Sequence, residues 1–383
     1  MNTTTLLKQT KTRLTLVKRR NRHIEPMKTS KYIEKVNLNQ LVKEQFGDEP
    51  YTFLSQYVNF EQEDTFVEAT TTRFNMLKIP AGKYSSIVNL SRVNDIRWIN
   101  KFFETVNSKL DNGNLFIGFV ETKKNRKERI LKKHFFPLNW IRYSADFVLH
   151  RVLPKVRFTK KIYFNITKGH NRVLTKAETL GRLISCGFEI KDVKEVGKLT
   201  YFVTEKIKEP VFDPNPSYGP FFKMRRVGKD GKIIRVYKLR TMHPFSEYLQ
   251  EYMVKTHGYD NEGKGKIKND FRNTTLGAFF RRYWIDELPQ LINIIKGEMK
   301  LVGVRPLSIT RFNEFPDHVK KRRTKYKPGC FPPYVALLMP NEEDNIKAEE
   351  IYLDQKEKHP IWTDVKFLWL SIYNIVTNKI RSA

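Results

Sequence analysis

The chain is poor in acid and in cysteine, and it has no long apolar run. Two cysteines in 383 residues, Cys186 and Cys330, exclude a disulfide framework or a zinc site built from cysteine alone, which fits a reducing cytoplasm. No stretch of ~18 apolar residues occurs, so a conventional membrane-spanning helix is excluded. The N-terminus is basic but no apolar core follows it, so a secretory signal is not expected. Asp and Glu number 41 against 71 Lys and Arg, a formal net charge of +30. An excess of that size selects for polyanionic partners: nucleic acid, an anionic membrane face or phosphate-bearing substrates. No nucleic-acid-binding motif accompanies the charge, so a basic nucleic-acid-binding protein is the weaker reading.

The length fits two domains. Residues 1–32 carry nine Lys or Arg and one acid, Glu25. That composition reads as a solvated tail, with attraction to anionic lipid as the sharper account. Residues 1–45 are thus expected to be tail and linker. From about residue 65 an α/β pattern begins. Phe66–Ala69 and Ser86–Leu90 read as short buried strands, and Ile96, Ile99, Phe102, Phe103, Val106 and Leu110 fall at helical spacing. Asp111–Asn114 is a turn, and Leu115–Val120 a further strand. A helix through Leu180–Leu183, then Cys186–Ile190, then a strand at Leu199–Val203 complete the pattern. This order resembles the later half of a class I methyltransferase, which implies a Rossmann-like domain over residues 46–208. No G-x-G turn occurs near residues 45–75, so the cofactor loop of such an enzyme is missing. Pro210, Pro214, Pro216 and Pro220 then mark residues 209–218 as a stiff connector.

The second half carries the chemistry. Residues 221–242 hold eight Lys or Arg and one acid, Asp230. Lys229-Asp230-Gly231-Lys232 suits a hairpin turn, with Ile233, Arg235 and Tyr237 on one strand face and Ile234, Val236 and Lys238 on the other. In RRYWIDELPQLINIIKG, residues 281–297, Leu288, Leu291, Ile292 and Ile295 form one helical stripe. Asp286 and Glu287 then fall at the helix N-terminus, where the helix dipole favours their ionised forms and the free N–H groups suit an anion.

Residues 219–383 resemble the bacterial sugar transferases, the monotopic phosphoglycosyl transferases. The residues that carry the likeness are Gly219-Pro220-Phe221-Phe222, Arg226-Val227-Gly228, Lys238-Leu239-Arg240-Thr241-Met242, Asp286–Leu291, Leu301–Pro306 and Lys327-Pro328-Gly329. The resemblance implies a smaller α/β catalytic domain. It implies transfer of a sugar-1-phosphate from a nucleotide sugar, most in keeping a UDP-sugar, to a polyprenyl phosphate, for exopolysaccharide or glycoconjugate synthesis. Asp286 matches the nucleophile that forms an aspartyl-phosphosugar enzyme, and Glu287 the residue associated with Mg²⁺ and proton handling. Arg226, Lys238, Arg240, Arg281 and Arg305 are the cations expected around the phosphates.

The usual re-entrant apolar helix before the Gly-Pro opening is absent, since residues 196–218 carry Lys198, Glu205, Lys206, Lys208 and Glu209. Met224, Val304 and Cys330–Pro333 also depart from the family pattern. Membrane contact is expected on the inner face of the plasma membrane and to be peripheral. The candidate surfaces are residues 361–380, with Trp362, Phe367, Trp369 and Tyr373 opposite Asp364, Ser371, Asn374 and Asn378, and the amphipathic segment Phe135–Leu153. Six Lys or Arg within 318–327 form a further basic patch. A silent scaffold for glycan assembly remains as an alternative, against which the intact Asp286-Glu287 pair argues.

Overall fold

The computed structural model describes residues 37–211, 218–258, 270–380 and 382. The basic tail and residues 212–217 of the Pro-rich connector lie outside them. The first half is built on a five-stranded sheet of order β1-β2-β3-β5-β4. The strands are β1 Thr65–Glu68, β2 Ser86–Asn89, β3 Leu115–Val120, β4 Phe188–Val196 and β5 Leu199–Lys206. β1, β2 and β3 pair in parallel, β5 runs antiparallel to β3, and β4 closes the edge antiparallel to β5. The strands expected at 66–69, 86–90 and 115–120 lie within a residue of the observed bounds, that expected at 199–203 runs on to Lys206, and β4 extends well past the Cys186–Ile190 stretch.

Successive residues of β2 and β3 point to opposite faces, and both faces are covered. Ile87, Phe116, Phe188 and Phe202 pack under helices Ile99–Asn107 and Lys176–Ser185. Val88, Ile117, Phe119 and Tyr201 pack against Val42, Phe53 and Leu54. The last three belong to helices Leu38–Phe46 and Asp48–Leu54. The first unit therefore begins at residue 38, inside the stretch expected to be tail and linker, because Val42 is needed to cover that sheet face.

The second half is mostly helical, with a hairpin of β6 Phe221–Val227 and β7 Ile233–Leu239 and a small parallel pair, β8 Lys300–Val302 and β9 Gly329–Phe331. The hairpin turn holds Asp230 at φ 54° and Gly231 at φ 73°, as an Asp-Gly turn requires. Residues Ser246–Leu249 and helix Gln250–His257 leave this unit and plug into the first. Leu249 and Met253, both fully buried, join the core of helices Ile99–Asn107 and Lys176–Ser185. Phe245 approaches so closely that a Cβ on Gly181 would lie 2.2 Å from its carbonyl oxygen. Arg182 lies over the Phe245 ring at 4.3 Å. The boundary at 209–218 separates the sheets, but the two units share one apolar core.

That shared core sets a test. Leu249→Ala should cost about 2–5 kcal/mol, the usual range for a buried leucine. Both units should still melt in one transition at a lower temperature, read by calorimetry. A first unit that melts at its original temperature would show that the plug is not part of its core.

Candidate active site

A cavity of about 340 Å³ lies between the β6-β7 hairpin, the Trp284–Gln290 segment and the loop after β8. It is lined by Arg226, Lys238, Arg281, Asp286, Glu287 and Arg305, all singled out in the sequence. Each comes from a different local device. Lys238 lies on the inward face of β7, with Val236 buried beside it. Arg281 is near the end of helix Thr275–Arg282, which seats against Thr241 because Gly277 has no Cβ; one would lie 2.0 Å from the Thr241 carbonyl oxygen. Arg281 Nε then donates to Thr241 Oγ1 at 2.9 Å. Arg305 follows β8, and its guanidinium lies 4.9 Å from the centre of the Tyr334 ring.

The carboxylates sit in a 3-10 turn, Ile285–Gln290, entered through Trp284 at φ 57°, and the α-helix proper runs only over Leu291–Ile295. Asn293 fixes this segment to the hairpin: it accepts from Tyr237 N at 3.1 Å and donates to the Arg235 carbonyl at 2.8 Å. The expected apolar stripe is inverted. Asn293 and Gln290 are buried, whereas Leu288, Leu291, Ile292 and Ile295 are exposed, Ile295 at 86%. The hydrogen-bonding demand of the site outranks burial of the aliphatic side chains.

Asp286 is only 2% exposed. Its Oδ2 accepts from Ser382 Oγ at 2.6 Å and lies 3.9 Å from Lys238 Nζ, while its Oδ1 is buried with no hydrogen-bond partner among the described residues. Glu287 is ion-paired with Lys238 and accepts from Gln290. Burial pushes the Glu287 carboxyl above its ordinary range; Lys238 opposes this and Asp286 adds to it. For Glu287 the helix-dipole expectation is therefore corrected, because desolvation outweighs a short 3-10 turn. The same burial lowers Arg226 and Arg281, but both remain cations at neutral pH. Four cations face two carboxylates, an excess of two positive charges suited to a multiply charged anion.

Arg240 is not among the lining residues. Its Nε donates to the Gly219 carbonyl at 3.1 Å and its guanidinium lies over Phe222, so it braces the start of the hairpin. The basic patch at 318–327 is partly consumed as well: Arg323 pairs with Glu349 inside the domain, and Arg322 with Asp354 and Glu357. Sequence reasoning missed Gln290, Trp284, Tyr334 and Ser382. Gln290 was within reach, since i and i+3 residues of one turn meet. Ser382 carries no local signal, being 96 positions from Asp286.

The raised Glu287 value has a stability consequence. A folded-state pKa above the unfolded one stabilises fully below the ordinary glutamate value, ~4.3, and that contribution is lost as pH rises through the folded value. Glu287→Gln should therefore remove part of the decline in stability on going up from about pH 4. Denaturant unfolding across that range checks this; an unchanged slope refutes it. Lys238→Met should move the Glu287 titration further up, read by carbon NMR of the carboxyl.

Comparison with known proteins places this region. Residues 214–378 match the family model described as bacterial sugar transferase. Galactosyl transferase CpsE of Streptococcus agalactiae serotype III is 30% identical over 176 residues, 46% of this chain and 37% of that protein. The UDP-glucose:undecaprenyl-phosphate glucose-1-phosphate transferase of Escherichia coli is 31% identical over 170 residues, 43% of this chain and 34% of that protein. The undecaprenyl-phosphate galactose phosphotransferase of Salmonella typhimurium is 41% identical over 98 residues, 25% and 21% of the respective chains. The chain spans about a third of the length of the first two of these relatives. Among solved structures, the T. Thermophilus 16S rRNA N2 G1207 methyltransferase covers 69% of this chain and 76% of its own at 12% identity, and its TM-score of 0.21 carries no argument. The segment that builds the Asp286 cavity therefore lies within the part of this chain, residues 214–378, that is similar to the bacterial sugar transferases.

Proposed function

We propose that this protein moves a sugar-1-phosphate from a nucleotide sugar, in the first instance a UDP-sugar, to a polyprenyl phosphate at the inner face of the plasma membrane. The observation that carries the reading is one cavity in which two adjacent carboxylates, one with a buried oxygen unpartnered among the described residues, face Lys238, Arg226, Arg281 and Arg305. The relatives named above as undecaprenyl-phosphate transferases supply the substrate class.

In this mechanism Asp286 Oδ1 bonds to the β-phosphorus of the donor. The bond to the bridging oxygen breaks, and the nucleoside monophosphate leaves with the electron pair. An oxygen of the polyprenyl phosphate then attacks the same phosphorus and the Asp286 carboxylate is released. Splitting the transfer lets two bulky anions use one site in turn. The four cations offset the repulsion between an anionic nucleophile and a diphosphate. Lys238 holds Glu287 beside Asp286, and the raised Glu287 pKa suits a group that takes and returns a proton. The residues present fit Mg²⁺: Asp286 and Glu287 supply one or two carboxylate ligands, which this ion takes together with substrate phosphates. Bound there, Mg²⁺ would neutralise charge on the phosphoryl oxygens.

Peripheral attachment follows from the outward faces. No helix among the described residues is long and apolar enough to cross a membrane. In helix Pro360–Val376 the polar residues Ser371 and Asn374 point inward, Asn374 donating to the Val335 and Ala336 carbonyls, while Trp362, at 71% exposure, Trp369 and Tyr373 face out; Phe367, expected on that outward face, is instead buried against Tyr352. Trp and Tyr on an outward apolar face suit the bilayer interface.

We read the first unit as a Rossmann-like scaffold of the methyltransferase type without its cofactor site. Parallel strands with helical crossovers support this. The residues after β1 are Ala69-Thr70-Thr71-Thr72, and Asn89 at the end of β2 bonds both the N–H and the carbonyl of Thr70. One side chain, Asn89, thus pins the loop after β1.

Two measurements test these readings. Asp286→Asn, which keeps the side-chain shape at a buried position, should lower nucleoside monophosphate release by about a thousandfold or more and leave the melting temperature nearly unchanged. Wild-type protein with donor alone should gain a sugar-phosphate mass that the variant lacks; near-normal turnover in the variant refutes the covalent route. Calorimetry with S-adenosylmethionine should show no micromolar binding, and a saturating heat in that range would revive a methyltransferase.

A further inference from the structure

We propose that the helical excursion between β3 and β4, residues 134–168, is a second membrane-contacting surface, lying in the headgroup region of an anionic bilayer. It extends the peripheral attachment proposed above to the half of the chain that carries no part of the Asp286 cavity.

Helix Leu138–Phe147 buries none of its ten residues, although it contains Leu138, Trp140, Ile141 and Phe147. In helix Arg157–Thr167, Phe158, Ile162 and Ile166 recur every four residues and so share one face; Phe158 is 86% and Ile166 76% exposed. Tyr163, on the other side, is buried and bonded to His150. The orientation is therefore fixed by packing, and it turns the aliphatic and aromatic stripe outward. Trp98 continues the patch, since the Arg97 guanidinium lies 5.3 Å from its ring and 5.8 Å from that of Phe164. An exposed apolar surface of this extent marks an interaction site in a folded protein.

Charge identifies the partner. Residues 132–168 hold nine Lys or Arg and one acid, Asp146, and Asp146 is already neutralised by both Arg126 nitrogens at 2.6 and 2.7 Å. Lys132, Lys133, Arg142, Lys160, Lys161 and Lys168 remain exposed around the apolar residues. An apolar face ringed by cations, with no free acid, matches the acyl boundary and the phosphates of an anionic leaflet. A protein partner would need a continuous acidic rim, and a second copy of this chain presents the same excess of cations and would be repelled.

The test uses the full chain and vesicles of equal parts phosphatidylcholine and phosphatidylglycerol. Cys186 and Cys330 are both buried, so Ile162→Cys offers one accessible thiol for an environment-sensitive fluorophore. On vesicles the emission should shift to the blue, and the shift should weaken as salt shortens the Debye length from ~10 Å to ~3 Å. The Phe158→Glu, Ile162→Glu, Ile166→Glu triple variant should lose about tenfold in vesicle partitioning with an unchanged melting temperature. A chain that sediments with vesicles while the probe stays unshifted overturns this surface and leaves the sugar transferase half as the anchor. No sedimentation at low salt overturns it as well. So does a triple variant whose mass in solution, without lipid, falls from that of a dimer to that of a monomer, which would assign the face to self-association.

Discussion

Two adjacent carboxylates buried in one cavity are the constraint on which the second half of this protein is built. Removing an ion from water costs several kcal/mol even after relaxation, so Asp286 and Glu287 can stay there only with cations held against them. Lys238 arrives on a strand, Arg281 at a helix end and Arg305 on the loop after β8. Asn293, fully buried between the turn and β7, ties the acidic segment to the strand that supplies the lysine. The arrangement over-neutralises the pair, leaving a surplus of positive charge that suits an anion.

The same constraint turns this half inside out. A helix of a water-soluble domain buries its apolar stripe. Here Leu291–Ile295 buries Asn293, and Pro360–Val376 buries Ser371 and Asn374 beside Phe367 and Ile375, while Leu291, Ile292, Ile295, Trp362, Trp369 and Tyr373 look outward. The two asparagines are tolerated there because each bonds to backbone groups of a neighbouring segment. The outward surface then fits an apolar surrounding.

The first unit meets this one through a plug rather than a linker. Leu249 and Met253 complete a core whose other walls are helices of the first unit, and Gly181 leaves room for Phe245. The segment that follows the plug leads through Arg272, Thr274 and Thr241 to Arg281 in the cavity. The first unit is thus tied to the chain a few hydrogen bonds from the Asp286 cavity.

Much of this was legible along the chain. Most strands of the first sheet, the Asp-Gly hairpin and the motifs that supply six side chains of the cavity depend on local pattern, where side-chain alternation and turn chemistry act over a few residues. Helix Leu38–Phe46 was not legible, because a charged, weakly apolar segment is recruited only when a sheet face needs Val42. The direction of the stripes at 288–295 and 361–376 was not legible either, since periodicity gives a face but not which side of it meets the core. Arg240 and Lys238 are two positions apart on the same motif, yet one braces the hairpin and the other reaches the carboxylates. Local pattern determined which side chains were available; only the tertiary structure decided their neighbours, because pairing across 96 residues, as between Ser382 and Asp286, is set by how the whole core closes.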